Sequence, residues 1–132
     1  MIKWDDSYNI GIETIDEQHK YLFKLCRDLE ILLATPNVIY KVDDAIKIVC
    51  DFRNYVTYHF YYEEMYFSIA HYDHLTDHIT EHEDFKKQIL DINISNFYKE
   101  NYDELQTLIN FLYGWIFNHI TKKDINLKNL IK

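Results

Sequence analysis

Apolar residues recur every three to four positions in four stretches of the chain, which is the period of one face of an α-helix. The first stretch carries Ile15, Leu22, Leu25, Cys26 and Leu29 on one face, and the three others have similar length. The pattern predicts helix A over about 15–34, helix B over 42–67, helix C over 73–92 and helix D over 101–120.

Short connections between four such helices predict an all-α fold, an up-down-up-down antiparallel four-helix bundle. Residues 1–13 are predicted as an irregular N-terminal arm ending near Gly11, and residues 121–132 as a short C-terminal tail with room for a final turn. Thr14 with Glu17 three residues later has the form of a capping box and predicts the start of helix A. The length of 132 residues predicts a single domain over 1–132.

Composition supports helices and excludes several classes of partner. The chain has only two glycines and one proline, and 48% of its residues are apolar. A net charge of −8 would be repelled by a phosphate backbone, so no nucleic acid is expected. No apolar run is long enough to span a bilayer, and the N-terminus carries no apolar signal core, so a cytoplasmic protein without a membrane partner is predicted. A partner protein is possible but is not indicated by the sequence.

Histidines fall where the helical period requires core residues. They are placed on all four predicted helices, and one glutamate shares the stripe of helix B: His19, His59, Glu63, His78, His82 and His119. Burying such groups without a partner is costly, on the order of several kcal/mol for a charge. Something must therefore satisfy the whole set.

The spacing of these residues predicts a metal site. His59 with Glu63, and His78 with His82, are i, i+4 pairs that share one helix face. Imidazoles and carboxylates without thiolates suit Fe, Zn, Cu or Ni rather than Ca or Mg. The set exceeds the four ligands of a structural zinc ion, whereas two ions bridged by carboxylates use such a number naturally. The sequence lacks the Glu-x-x-His pairs of ferritin-like di-iron proteins.

Four segments, at 15–19, 59–64, 78–85 and 119–124, resemble the signature segments of the hemerythrin family, in particular its bacterial single-domain members. The resemblance covers nearly the whole chain, including the arm around Trp4. It implies a cofactor of two iron ions (Fe²⁺/Fe³⁺) with an oxo or hydroxo bridge. The implied ligands are His78, His82 and His119 for one iron, His19 and His59 for the other, and Glu63 and Asp124 as bridges.

By this resemblance, the iron with two histidines keeps an open position where O₂ binds. The implied function is reversible O₂ binding for oxygen carriage, storage or delivery, by a binding protein rather than an enzyme. Two alternatives stay open: an O₂ or redox sensor acting through a separate partner, and a di-iron enzyme that handles peroxide or nitric oxide. The residues expected around the O₂ pocket are Ile116, Trp115, Phe23 and Phe60, although ordinary core packing explains these side chains equally well.

Three further expectations concern positions near the ligands. His119 and Asp124 are five residues apart, about 140° around an ideal helix, so both cannot face inward from regular helix. Helix D is therefore predicted to end or distort around 120–123. His71 and His74 are expected to be solvated or to cap a loop, with metal entry or proton relay as the alternative. Glu64 points away from the apolar stripe and is expected to be solvated.

Overall fold

The protein is described by a computed structural model over residues 2–34, 41–92 and 102–130, and every regular element in these ranges is helical. A short 3₁₀ helix, Asp6–Tyr8, lies in the arm. The four long helices are α1 (Glu13–Ala34), α2 (Lys41–Ile69), α3 (Leu75–Leu90) and α4 (Tyr102–His119). A π-helical segment, Ile120–Asp124, continues α4 and leads into α5 (Ile125–Leu130). The predicted all-α fold class is confirmed.

The long helices pack as a bundle around one main core. Helix α1 packs against α2 and α4, and α2 also packs against α3. The predicted apolar stripes face inward, and the largest buried side chains include Leu22, Phe52, Phe60, Phe85 and Leu112, each at most 1% exposed. In the described ranges, none of the helices is long and apolar enough to cross a membrane.

The start of α1 differs from the prediction. The helix begins at Glu13, so Thr14 lies inside its first turn and the predicted capping box is wrong. The arm is held instead by Asp16, whose buried carboxylate accepts hydrogen bonds from the backbone N–H groups of Ile10 at 2.7 Å and Gly11 at 3.1 Å. Gly11 has a φ of 94°, a left-handed conformation that glycine adopts without strain.

The other boundaries agree with the prediction to within two residues at the described ends. Helix α2 continues two residues beyond the predicted end at 67, to Ile69. Helix α3 is shorter than predicted at both ends, and the turn before it contains His71 at a φ of 55°. Residue 101, the predicted start of helix D, lies outside the described ranges. Helix α5 confirms the final turn predicted for the tail.

Candidate metal centre

The seven predicted ligands lie together in the interior of the bundle. Helix α1 supplies one of them, α2 and α3 supply two each, and the end of α4 with the π-helical segment supplies the last two. All are at most 4% exposed: His19, His59, Glu63, His78, His82, His119 and Asp124. The apolar stripes that bury each helix face therefore bring these polar side chains to one place.

Three histidines converge on one oxygen of Glu63. The Nε2 atoms of His82, His78 and His119 lie 3.1, 3.6 and 3.7 Å from Glu63 Oε1. The same Nε2 atoms of His78 and His119 lie 3.2 and 3.0 Å from Asp124 Oδ1. These five residues form the first group able to hold a metal ion, which we call the three-histidine group.

The remaining two histidines converge on the other oxygen of Glu63. The Nε2 atoms of His19 and His59 lie 2.9 and 3.1 Å from Glu63 Oε2, and His19 Nε2 lies 3.2 Å from Asp124 Oδ2. Together with Glu63 and Asp124 they form the second group able to hold a metal ion, the two-histidine group. Each carboxylate thus offers one oxygen to each group.

Asp124 reaches the centre because the backbone changes from α- to π-helix after His119. The π-helical segment spans Ile120–Asp124, which is where helix D was predicted to end or distort. Hydrogen bonds in a π-helix join residues five apart, so residues at this spacing lie close to one face. The two side chains accordingly approach to 3.0 Å.

Several nitrogen and oxygen atoms that could bind a metal ion are buried without a hydrogen-bond partner. Glu63 Oε1, His78 Nε2 and both carboxylate oxygens of Asp124 are buried without a hydrogen bond. The Nε2 atoms of His82 and His119 face each other at 2.8 Å. Leaving such groups unsatisfied is costly, whereas a cation between them would satisfy all of them. Nitrogen and carboxylate donors without thiolates fit the first-row ions, including iron.

The charges of the centre favour cations. Burial alone would lower the pKa of His19, but the carboxylates of Asp124 and Glu63 outweigh burial and raise it to about 9. The same opposition raises the pKa of His78 to about 9 and that of His119 to about 10. Despite burial, the surrounding imidazoles hold the pKa of Glu63 well below its usual range. In the absence of metal, protons on the imidazoles therefore balance the carboxylates.

The outward-facing Nδ1 atoms of three histidines contact polar side chains to which the sequence pattern assigned no role. His82 Nδ1 donates to Glu64 Oε2 at 2.9 Å, and His59 Nδ1 donates to Gln18 Oε1 at 2.7 Å. His119 Nδ1 lies 3.4 Å from Glu81 Oε2. A proton fixed on Nδ1 leaves the lone pair of Nε2 free for a metal. The expectation that Glu64 is solvated is therefore wrong, because α3 packs where its carboxylate can bond His82.

The side chains predicted around an O₂ pocket occupy different places. The ring of Phe60 stacks on His82 at a centroid distance of 3.8 Å and also lies 5.9 Å from His59. Trp115 is half-buried and stacks on His119 at 4.4 Å, beside the three-histidine group. Ile116 is buried in the main core. Phe23 contacts the rings of aromatic residues in the arm and α4: Trp4, Tyr8 and Tyr113.

Two surface cavities adjoin the three-histidine group. One cavity of about 350 Å³ is lined by Trp115 and His119, and the other, of about 290 Å³, is lined by His78. Glu81 lines both cavities. His74 also lines the second cavity; it is exposed and its Nδ1 lies 3.8 Å from Asp77 Oδ2. His71 is exposed in the turn before α3, so the expectation of solvation is confirmed for both histidines.

Sequence comparisons agree with this arrangement. The family model described as "Hemerythrin HHE cation binding domain" matches residues 10–131. A bacteriohemerythrin of Clostridium acetobutylicum is 31% identical over 94% of this chain and 96% of its own length. A hemerythrin-like protein of Naegleria gruberi is 27% identical over 97% of this chain and 92% of its own. A myohemerythrin of Theromyzon tessulatum is 28% identical over 96% and 90%, respectively.

Proposed function

The chain belongs to the hemerythrin family, as the sequence resemblance predicted, and from this we propose that it binds O₂ reversibly at a carboxylate-bridged, non-haem di-iron centre. Oxygen carriage, storage or delivery is the corresponding role. Membership of this family also favours ligand binding over catalytic turnover, so no residue is assigned a catalytic step. The sensor and enzyme alternatives differ from this proposal in the events after O₂ has bound.

The observation that carries the proposal is the division of the two carboxylates. Glu63 Oε1 faces the three-histidine group and Oε2 faces the two-histidine group, and Asp124 Oδ1 and Oδ2 divide in the same way. A single ion would not need this division. Two neighbouring ions, each held by one oxygen from each carboxylate, would use all four oxygens.

The two groups differ in the number of protein donors that they offer. An iron in the three-histidine group would be held by His78, His82 and His119 with both carboxylates. An iron in the two-histidine group would have only His19 and His59 with the same carboxylates, so one more coordination position stays available to an external ligand. When bound, the irons would supply the electrons that reversible O₂ binding needs.

We propose that apolar side chains around the centre would limit the access of water to this position. Phe60 and Ile116 are at most 1% exposed, and Phe23 is 2% exposed. A dry, apolar wall disfavours the escape of charged oxygen species and so favours reversible binding over oxidation. Trp115 would contribute on the side of His119, where its ring stacks.

The proposal is tested on anaerobically reduced, iron-loaded protein exposed to O₂. We expect an intense charge-transfer band to appear in the visible spectrum. The band should disappear when O₂ is removed and return when O₂ is added, through repeated cycles. Immediate and irreversible conversion to the ferric form would contradict reversible binding and favour the sensor or enzyme alternatives. Binding of zinc, with no retention of iron, would contradict the di-iron centre itself.

A further inference from the structure

The outer hydrogen bonds of the metal-binding histidines are unequal between the two groups. In the three-histidine group, His82 Nδ1 bonds the Glu64 carboxylate at 2.9 Å, and His119 Nδ1 lies 3.4 Å from the Glu81 carboxylate without forming a hydrogen bond. In the two-histidine group, His59 Nδ1 bonds the neutral amide of Gln18 at 2.7 Å. His19 Nδ1 is buried and makes no hydrogen bond.

An anionic acceptor changes an imidazole more than a neutral one does. A carboxylate draws the Nδ1 proton towards itself and makes the opposite nitrogen a stronger electron donor. A stronger donor stabilises the more highly charged ion, here Fe³⁺ over Fe²⁺. An amide oxygen does this less, because hydrogen bonds to ionised acceptors are roughly twice as strong as neutral ones.

We infer that Glu64, with Glu81, and the neutral Gln18 act as positioning residues that make the two irons unequal, so that the three-histidine iron is the more easily oxidised. The inference rests on the proposed di-iron function and concerns its tuning. Loss of one electron from the fully reduced centre would therefore leave Fe³⁺ in the three-histidine group and Fe²⁺ in the two-histidine group. Glu63 and Asp124 do not create this difference, because each gives one oxygen to each group.

The burial of these partners supports a built arrangement. The Glu64 side chain is only 22% exposed, and Gln18 is 4% exposed. Both hydrogen bonds join different helices, Gln18 on α1 to α2 and Glu64 on α2 to α3. Glu81 is more accessible, at 38%, and shares its charge with Lys123 at 3.3 Å, so its influence on His119 is weaker.

The test uses iron-loaded full-length protein that is reduced in steps while electron paramagnetic resonance measures the half-reduced form, with one Fe²⁺ and one Fe³⁺. The amount of this form at the midpoint reports how unequal the two irons are. Glu64→Gln and Gln18→Glu should each lower this amount several-fold. The double variant keeps the net charge of the protein and exchanges the two partners, so this amount should recover towards that of the unaltered protein.

Matched controls change charge elsewhere. Glu83→Gln removes a carboxylate that is 59% exposed and pairs with Lys86, and Gln88→Glu adds one at an exposed position of α3. Neither should alter the amount of half-reduced protein. The inference is overturned if Glu64→Gln and Gln18→Glu retain their iron but leave this amount unchanged, or if a control changes it equally.

A second readout does not depend on iron redox chemistry. In the Zn²⁺-loaded protein, the His82 Nδ1 proton should give a strongly downfield nuclear magnetic resonance signal that moves upfield in Glu64→Gln and not in Glu83→Gln. An unmoved signal overturns the inference even if Glu64→Gln loses iron. If the unaltered protein holds two irons and binds O₂, but these variants change neither the amount of half-reduced protein nor the His82 signal, the inference alone fails. If the unaltered protein does not hold two irons, the proposed function fails and the inference falls with it.

Discussion

His119 and Asp124 approach to 3.0 Å between Nε2 and Oδ1 although they are five residues apart along the chain. The π-helical segment Ile120–Asp124 makes this approach possible, because its wider turn brings residues at this spacing to one face. Such single turns of π-helix are frequent at functional sites. The segment is therefore central to the proposed site, since it delivers the second bridging carboxylate.

Asp124→Asn tests the contribution of this carboxylate. The substitution keeps the shape of the side chain but removes the charge that balances the cations. We expect the iron content, measured by elemental analysis after gel filtration, to fall below two per chain. Asp77→Asn, at a side chain that is 84% exposed, is the matched control and should retain full iron. Full iron in Asp124→Asn would remove this residue from the ligand set.

Glu63→Ala should be more severe. Glu63 is the residue whose two oxygens approach histidines of both groups most closely, at 2.9 to 3.1 Å from His19, His59 and His82. Its loss should abolish the dinuclear site, leaving at most one weakly held iron per chain in the same elemental analysis. Glu17→Ala, at an exposed position of α1, is the control. Retention of both irons in Glu63→Ala would exclude a bridging role.

Metal loading should release protons in a pH-dependent way. In the metal-free protein, the carboxylates outweigh burial and raise the pKa of His19 and His78 to about 9 and that of His119 to about 10. These imidazoles are protonated at pH 7, and a metal binds only their neutral form, so loading should release about three protons per chain from them. The release should decline, and the metal affinity should level off, as pH rises through 9 to 10. Titration with Zn²⁺ in a pH-stat measures the proton release and the metal affinity. If no protons are released at pH 7, the imidazolium and carboxylate charges do not balance each other in the metal-free centre as proposed.

Gly114 offers a test of the helix that carries His119. It lies inside α4, and a Cβ added there would meet nothing within 4 Å. Gly114→Ala should therefore raise the free energy of unfolding by about 0.5–1 kcal/mol in urea denaturation. Gly11→Ala should have the opposite sign, because the φ of 94° at Gly11 is unfavourable for alanine. Equal signs for the two variants would contradict the assigned backbone conformations.

The faces of the helices were predictable because burial imposes a period on the sequence. His59 and Glu63, four residues apart, follow the same rule as the apolar residues around them, so their inward direction could be predicted without the fold. Asp124 breaks this period. The prediction that it reaches the centre depended on the family resemblance, and it required a distortion of helix D after His119. The π-helical segment confirms that distortion.

The outer partners of the histidines could not be predicted in this way. Glu64 lies beside the inward stripe of α2, and only the position of α3 determines that its carboxylate meets His82 rather than water. Gln18 on α1 meets His59 on α2 through packing of the same kind. At the start of α1 a local pattern was misleading. The spacing of Thr14 and Glu17 predicted a capping box, whereas the structure uses Asp16, whose carboxylate accepts hydrogen bonds from the backbone of the arm.

The most direct test of the central claim is the position of the metal in crystals of the iron-loaded protein. Anomalous diffraction at the iron absorption edge should give two peaks per chain. One should lie among His78, His82 and His119 and the other beside His19 and His59, each next to one oxygen of both Glu63 and Asp124. A single peak, or two peaks that do not share these carboxylates, would contradict the carboxylate-bridged di-iron centre.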